Sequence, residues 1–161
     1  MIAARIVIAG ALIATGWAAT ANSAPKPAGP SPQELVAARQ AGMVMSASSL
    51  NLLKGASANG APLKSLGFPA GGLAKWAAAM PSLFSDNTKG VPSRASAKIW
   101  AQPADFAAKA KAFADSTKAL ADAAKADDKA GFDAALASTA ASCKGCHDTY
   151  QTPPAPPPKA G

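Results

Sequence analysis

Cysteine and histidine are scarce in this chain. Its 161 residues include two cysteines and one histidine, and the cysteines lie close together, at Cys143 and Cys146. Such a pair cannot link distant parts of the chain, so a disulfide framework is excluded. A single histidine likewise excludes a metal site in which one chain supplies two imidazole ligands.

Acidic residues are also few, with 9 Asp and Glu against 16 Lys and Arg, giving a net charge of +7. The lysines are scattered and form no basic run with interleaved aromatic residues, so the pattern does not indicate nucleic-acid binding. We interpret the charge as solvated helix faces that also attract an acidic protein partner over long range.

Long apolar runs are absent. The apolar stretch at residues 6–14 is too short to cross a bilayer, which takes ~20 apolar residues. It follows Arg5 and precedes small residues, the pattern of a secretory signal peptide. We therefore predict a signal over residues 1–24, cleaved after Ala21 or Ala24, with an uncleaved N-terminal anchor as the alternative. The mature protein is expected in a bacterial periplasm, without a membrane span.

Strand-forming patterns are missing as well, because alanine dominates and β-branched residues are few after the signal. After a flexible lead-in at residues 25–30, Ser31, Pro32 and Glu34 predict a capped helix start. Gly55 is the predicted end of this helix. Its core-facing stripe is expected to be Val36, Gln40, Met43, Ala47, Leu50 and Lys54.

Three further helices are predicted. Residues 56–69 are interpreted as a loop, residues 70–80 as a second helix, and residues 81–102 as a long connection. The third helix is expected to start near Pro103 and the fourth at residues 127–128. Inward side chains are expected to be Leu73, Trp76, Ala77, Met80, Phe84, Ile99 and Trp100. The last two helices carry the stripes Phe106, Ala110, Phe113, Thr117, Leu120, Ala124 and Phe132, Leu136, Thr139, Cys143, Cys146, Tyr150.

This pattern predicts an all-α fold, an antiparallel up-down four-helix bundle over residues 31–151. The proline-rich tail at residues 152–161 cannot continue a helix and is expected to be disordered. Because Cys143 and Cys146 both lie on the inward stripe of the last helix, the bundle is expected to enclose whatever they bind.

The motif CKGCH at residues 143–147 has three possible chemistries. A dithiol redox site normally lies at a helix N-terminus, whereas this motif lies near a C-terminus. A structural zinc site needs four ligands, and the motif supplies three. Covalent haem fits each part: cysteines at i and i+3 share a helix face, and His147 can reach the iron. We therefore expect one covalently bound haem c per chain.

The chain resembles the class II c-type cytochromes, namely cytochrome c′ and its low-spin relative cytochrome c-556. The resemblance rests on ARQAGM in the first helix, AKIWAQPADF before the third and ASCKGCHDTY in the last, and it extends over about residues 31–151. It implies the same four-helix fold, with the haem anchored on the C-terminal helix.

The resemblance also implies roles for individual residues. Cys143 and Cys146 would anchor the haem, and His147 would be the proximal iron ligand. Arg39 and Gln40 match the family's haem edge, where an arginine can pair with a propionate. Met43 falls at the family's distal position. The family usually has Arg or Lys four residues after the histidine, so Gln151 implies a lost positive charge there.

Two functions compete for such a protein. With Met43 as the distal iron ligand, it would be an electron carrier with His/Met ligation, and this is the function we expect. The alternative is a five-coordinate cytochrome c′ that binds nitric oxide or carbon monoxide. An enzyme is not expected, because the first helix offers no distal acid or base. The expected partners are acidic redox proteins, and the family commonly forms homodimers through its first two helices.

We expect mass spectrometry of the exported protein to detect one haem adduct that survives acid–acetone extraction. Substituting serine for Cys143 or Cys146 should lower the yield of holoprotein, because each thiol would form one of the two thioether bonds. A colourless protein from a host competent in c-haem maturation would contradict the expectation.

Overall fold

The bundle is seen in a computed structural model, which describes residues 29–154. Its helices are α1 (Pro32–Ala58), α2 (Gly67–Ala79), the short α3 (Lys98–Ala101), α4 (Pro103–Ala126) and α5 (Lys129–Tyr150). The four long helices form the predicted antiparallel up-down four-helix bundle. Helix α4 packs along both α2 and α5, and α1 closes the bundle mainly against α2.

The predicted signal peptide lies outside the described residues. Within residues 29–154, none of the helices has the length and apolar character needed to cross a membrane. The predicted lead-in also lies almost entirely before the described part of the chain.

Helix α1 begins as predicted and ends later than predicted. The Ser31 hydroxyl accepts from the Glu34 backbone N–H at 3.2 Å, and the Glu34 carboxylate accepts from the Ser31 N–H at 2.6 Å. The predicted end at Gly55 is wrong, because the helix continues to Ala58. Gly60 adopts a φ of +73°, a conformation that glycine reaches without steric cost, and the chain turns there instead.

The predicted stripe of α1 faces the interior at every position except Lys54, which is exposed. Val36 is buried, Met43 and Leu50 are half-buried, and Gln40 and Ala47 are exposed where they border the cavities beside the last helix. The buried residues of the helix are Val36, Arg39, Gly42, Leu53 and Ser57. Apolar patterning missed this face because it includes a charged residue, a hydroxyl and a glycine.

Helices α1 and α2 approach each other closely at Gly42. A Cβ atom built on Gly42 would overlap the ring of Trp76. The absence of a side chain at Gly42 therefore allows the two helices to pack this closely.

Helix α2 starts three residues before its predicted start at Ala70. Pro69 lies in the first turn, where a missing N–H is tolerated. A 3-10 turn at Leu63–Leu66 precedes the helix, and both leucines are buried. The predicted loop is therefore wrong from residue 63 onward, because the spacing of these leucines allows both to reach the core.

The predicted starts of α4 and α5 are confirmed. Asp127 closes α4 with a left-handed φ of 60°, and the Asp128 carboxylate caps α5 by accepting from the Gly131 N–H at 3.0 Å. All six predicted stripe residues of α4 are buried. On α5, Phe132, Thr139 and Tyr150 are buried, and the other predicted stripe residues are half-buried.

The connection between α2 and α3 returns to the end of α5. Ala95 and Gln151 form an antiparallel bridge, and the Thr152 N–H donates to the Arg94 carbonyl at 2.8 Å. Ordered pairing thus extends one residue past the predicted domain boundary at residue 151. Most of the predicted tail, residues 155–161, lies outside the described residues.

Replacing Gly42 with alanine should lower the free energy of unfolding by about 1–3 kcal/mol, because the new methyl group forces α1 and α2 apart. Denaturant unfolding of the holoprotein measures this loss. Gly55→Ala is the matched control on the same helix, since its Cβ would enter open space and should stabilise the helix by up to about 1 kcal/mol. Equal effects of the two substitutions would contradict the importance of this approach.

Candidate cofactor site

Helix α5 presents both cysteines to the interior. Cys143 and Cys146 are free thiols, half-buried, and both pack against the hydrophobic core. Burial raises the pKa of both thiols. A redox-active dithiol needs a lowered thiol pKa, so this environment disfavours the dithiol alternative.

Two cavities adjoin the motif. Their volumes are about 270 Å³ and about 250 Å³. Four residues line both cavities: Met43, Met80, Cys146 and His147. The second cavity also contacts Cys143, and its other walls include Leu73, Ala110 and Phe113.

The surroundings of the motif fit a haem rather than zinc. Two thiols and one imidazole border a space with largely apolar walls, as a covalent porphyrin requires. The Thr139 hydroxyl, which also lines this space, is fully buried without a hydrogen-bond partner. Within residues 29–154, no group of three or more His, Cys, Asp or Glu side chains could hold a metal ion by itself.

His147 borders both cavities, and its side chain is exposed. Burial is the main cause that lowers the pKa of His147, and the positive charge of Arg94 lowers it further, against the opposing effect of Asp148. A neutral imidazole is the form that binds metals. The site therefore favours the protonation state that an iron ligand needs.

Arg39 lies inside the protein, with 3% of its surface exposed. Its guanidinium donates to the Leu83 carbonyl at 3.2 Å, to the Thr88 hydroxyl at 3.1 Å and to the Ser93 hydroxyl at 2.9 Å, and lies over the Phe84 ring at 4.6 Å. Burial lowers its pKa. Arg39 borders the first cavity, as does the exposed Gln40.

Sequence reasoning missed Arg94, which also borders the first cavity. Its guanidinium donates to the Gln151 side-chain oxygen at 3.1 Å and to the Thr152 carbonyl at 2.8 Å. A positive charge therefore lies beside Gln151, where the sequence implied a lost one. No local pattern could have revealed this contact, because the partners are 57 and 58 positions apart.

Tyr150 anchors the end of α5. It is buried, its hydroxyl donates to the Asp105 carboxylate at 2.5 Å, and its ring packs edge-on against Phe106 with centroids 5.4 Å apart. Burial and this hydrogen bond raise the pKa of Tyr150 to about 12. The motif is thereby fixed against the start of α4.

Comparison with known proteins gives consistent matches. A family model described as Cytochrome C′ matches residues 34–151. A curated cytochrome c′ from Pararhodospirillum photometricum is 32% identical over 73 residues, a match that spans 45% of this chain and 58% of that relative.

Solved structures match over more of the chain. Cytochrome c prime from Alcaligenes xylosoxidans, solved as a ferrous variant with bound NO, has 29% identity and a TM-score of 0.71, covering 79% of this chain and 100% of that one. Cytochrome c′ from Thermochromatium tepidum has 26% identity and a TM-score of 0.72, covering 78% and 100%.

Tyr150, the one tyrosine of the chain, should ionise near pH 12, about two units above an ordinary tyrosine. The folded state then keeps a proton that the unfolded state has lost, so the free energy of unfolding should fall as pH rises from about 10 to 12. Tyrosinate difference absorbance measures the pKa directly.

Asp105→Asn should move the pKa of Tyr150 back toward its ordinary value, because it removes the carboxylate that opposes ionisation. Asp115→Asn is the matched control, since Asp115 lies on the same helix and pairs with Lys111. A folded wild-type protein in which Tyr150 titrates near pH 10 would refute the assignment.

Proposed function

Because this chain belongs to the cytochrome c′ family and carries covalently attached haem c, we propose that it binds a diatomic gas, nitric oxide or carbon monoxide. Cys143 and Cys146 would form the two thioether bonds, and His147 would be the proximal iron ligand. A haem held by these residues would supply an iron that can bind a diatomic gas and a reversible one-electron couple.

The relative with bound nitric oxide is the observation that carries this proposal. It aligns over its whole length with this chain, so the helices that surround its haem have counterparts here. The walls of the two cavities support the same function, because Met43 and Met80 contribute apolar side chains to both. An enzyme that cleaves oxygen or peroxide needs a side chain that donates protons near the iron. Neither Met43 nor Met80 can donate a proton.

Electron transfer with Met43 as an iron ligand is the second candidate. The observation in its favour is that Met43 is half-buried and lines both cavities together with His147. Gly42, the residue before it, holds α1 close to α2, so the thioether is presented from a rigid helix. The matches to cytochrome c′ favour the gas-binding function over this one.

Absorption spectra of the ferric and ferrous protein, with and without carbon monoxide, separate the two candidates. Gas binding predicts high-spin ferric iron and a ferrous protein that takes up carbon monoxide. Met43→Ala should then leave the spin state unchanged and speed carbon monoxide binding, because a bulky side chain is removed from the cavity. Met45→Ala is the matched control, since Met45 is 69% exposed on the same helix.

The opposite result would support electron transfer. If the wild-type protein is low-spin and does not bind carbon monoxide, whereas Met43→Ala binds it, Met43 is an iron ligand and the proposal is overturned. If Met43→Ala remains low-spin, Met80 is the next residue to replace, because it too lines both cavities.

We also propose a periplasmic location, because residues 1–24 have the pattern of a secretory signal peptide.

We propose a homodimer as well. Four large apolar side chains are exposed on α1 and at the start of α2: Val44, Met45, Leu52 and Phe68. A second copy of the chain could cover this surface. Sedimentation equilibrium of the wild type and of Leu52→Glu tests the dimer. The new charge in Leu52→Glu should weaken dimerisation. A monomeric wild type would exclude the dimer.

The positive charge favours acidic redox partners. Five lysines make no ion pair among residues 29–154: Lys54, Lys64, Lys75, Lys98 and Lys109. Of these, Lys109 borders the second cavity, so an acidic surface would be drawn toward the cofactor. We expect the rate of electron exchange with an acidic partner to fall as salt rises, because charges are screened within ~10 Å at 0.1 M. Stopped-flow rates that do not depend on salt would argue against this steering.

A further inference from the structure

Arg94 lies on an exposed connection, yet both its backbone and its side chain are held in place. Its carbonyl accepts from the Thr152 N–H at 2.8 Å and from the Thr152 hydroxyl at 3.2 Å. The next residues along the connection continue the pairing, since the Ser96 N–H donates to the Tyr150 carbonyl at 2.9 Å. The residue is thus fixed to the end of the helix that carries His147.

The acceptors of the Arg94 side chain are neutral. They are the amide oxygen of Gln151 and the main-chain carbonyl of Thr152. The nearby acid, Asp148, is paired with Lys144 at 2.5 Å. Among residues 29–154, no carboxylate forms an ion pair with Arg94, so its charge is held in one position without being cancelled there, in contrast to the six Lys–Asp pairs of the described surface.

The fixed charge borders the same cavity as Cys146 and His147. A positive charge beside a redox centre disfavours the form with the additional positive charge. Ferric iron carries one more charge than ferrous iron, so the ferrous form gains relative stability.

We propose that Arg94 is a positioning residue that sets the reduction potential of the cofactor, by holding one uncompensated positive charge beside His147. The proposal rests on His147 as the iron ligand, as proposed above. The reaction is the gain of one electron by ferric iron, supplied in the test by a chemical mediator. Arg94 raises the potential of this couple and does not itself change charge.

Redox titration of the holoprotein tests the proposal. Arg94→Gln should lower the midpoint potential, reducing the ratio of ferrous to ferric protein at a fixed applied potential by about threefold or more. Arg94→Lys should retain most of the wild-type value, because it keeps the charge. Lys98→Gln is the matched control: it removes the same charge from an exposed residue four positions away that does not line the cavity.

Gln151→Glu tests the same idea without breaking the contact. The new carboxylate can pair with Arg94 where the amide does now, so the contact is kept while the charge is cancelled. We expect a lower potential in this variant also, and a smaller shift for both variants at high salt. This second substitution keeps the test valid if Arg94→Gln fails to fold.

Two results would overturn the proposal. The first is that Arg94→Gln and Gln151→Glu shift the midpoint potential no more than Lys98→Gln does. The other is an Arg94→Lys variant that loses as much potential as Arg94→Gln, because hydrogen bonding and not charge would then be responsible. Haem mass and spin state are recorded for every variant, so a wild type that lacks haem or His147 ligation counts against the proposed function instead.

Discussion

The spacing of Cys143 and Cys146 on the inward face of α5 is the constraint on which the rest of the structure depends. Two thiols one helical turn apart, followed at once by an imidazole, commit that face to a planar group inside the bundle. The neighbouring helices must then leave space beside α5 instead of filling it with side chains. The cavities between α5 and the walls formed by Met43 and Met80 are the result.

The remainder of the bundle shows how that space is held open. Helices α4 and α5 pack closely through Phe106, Leu120 and Phe132, which are all buried. On the other side, contact between Gly42 and Trp76 holds α1 near α2. Arg39 extends from α1 to three oxygens of the connection, so the irregular segment after α2 is tied to the same framework.

Regular features of the sequence were enough to predict the fold and the covalent haem. Capping residues identified the start of α1, and the apolar stripe of α5 placed both cysteines inward. The family match confirms the resemblance noted from the sequence and, with it, the covalent haem. The comparisons favour the alternative, a cytochrome c′, over the expected electron carrier with His/Met ligation.

The features that sequence reasoning missed depend on contacts between distant residues. Gly55 and Gly60 are both plausible helix ends, and only the backbone conformation distinguishes them. The burial of Arg39 was not predicted, because hydrogen bonds hold it inside the protein and hydropathy cannot reveal them. Arg94 escaped notice for a similar reason, because its acceptors lie at the other end of the domain.

The pairing of residues 94–96 with residues 150–152 also affects the order in which the molecule can assemble. This bridge closes a loop that contains α3, α4 and α5, and it gains little apolar burial of its own. The entropy lost on closing such a loop must first be offset by contacts inside it, which are those between α4 and α5. We therefore expect the helical hairpin that carries the cysteines to form before the bridge, and the connection beside His147 to be completed late in folding.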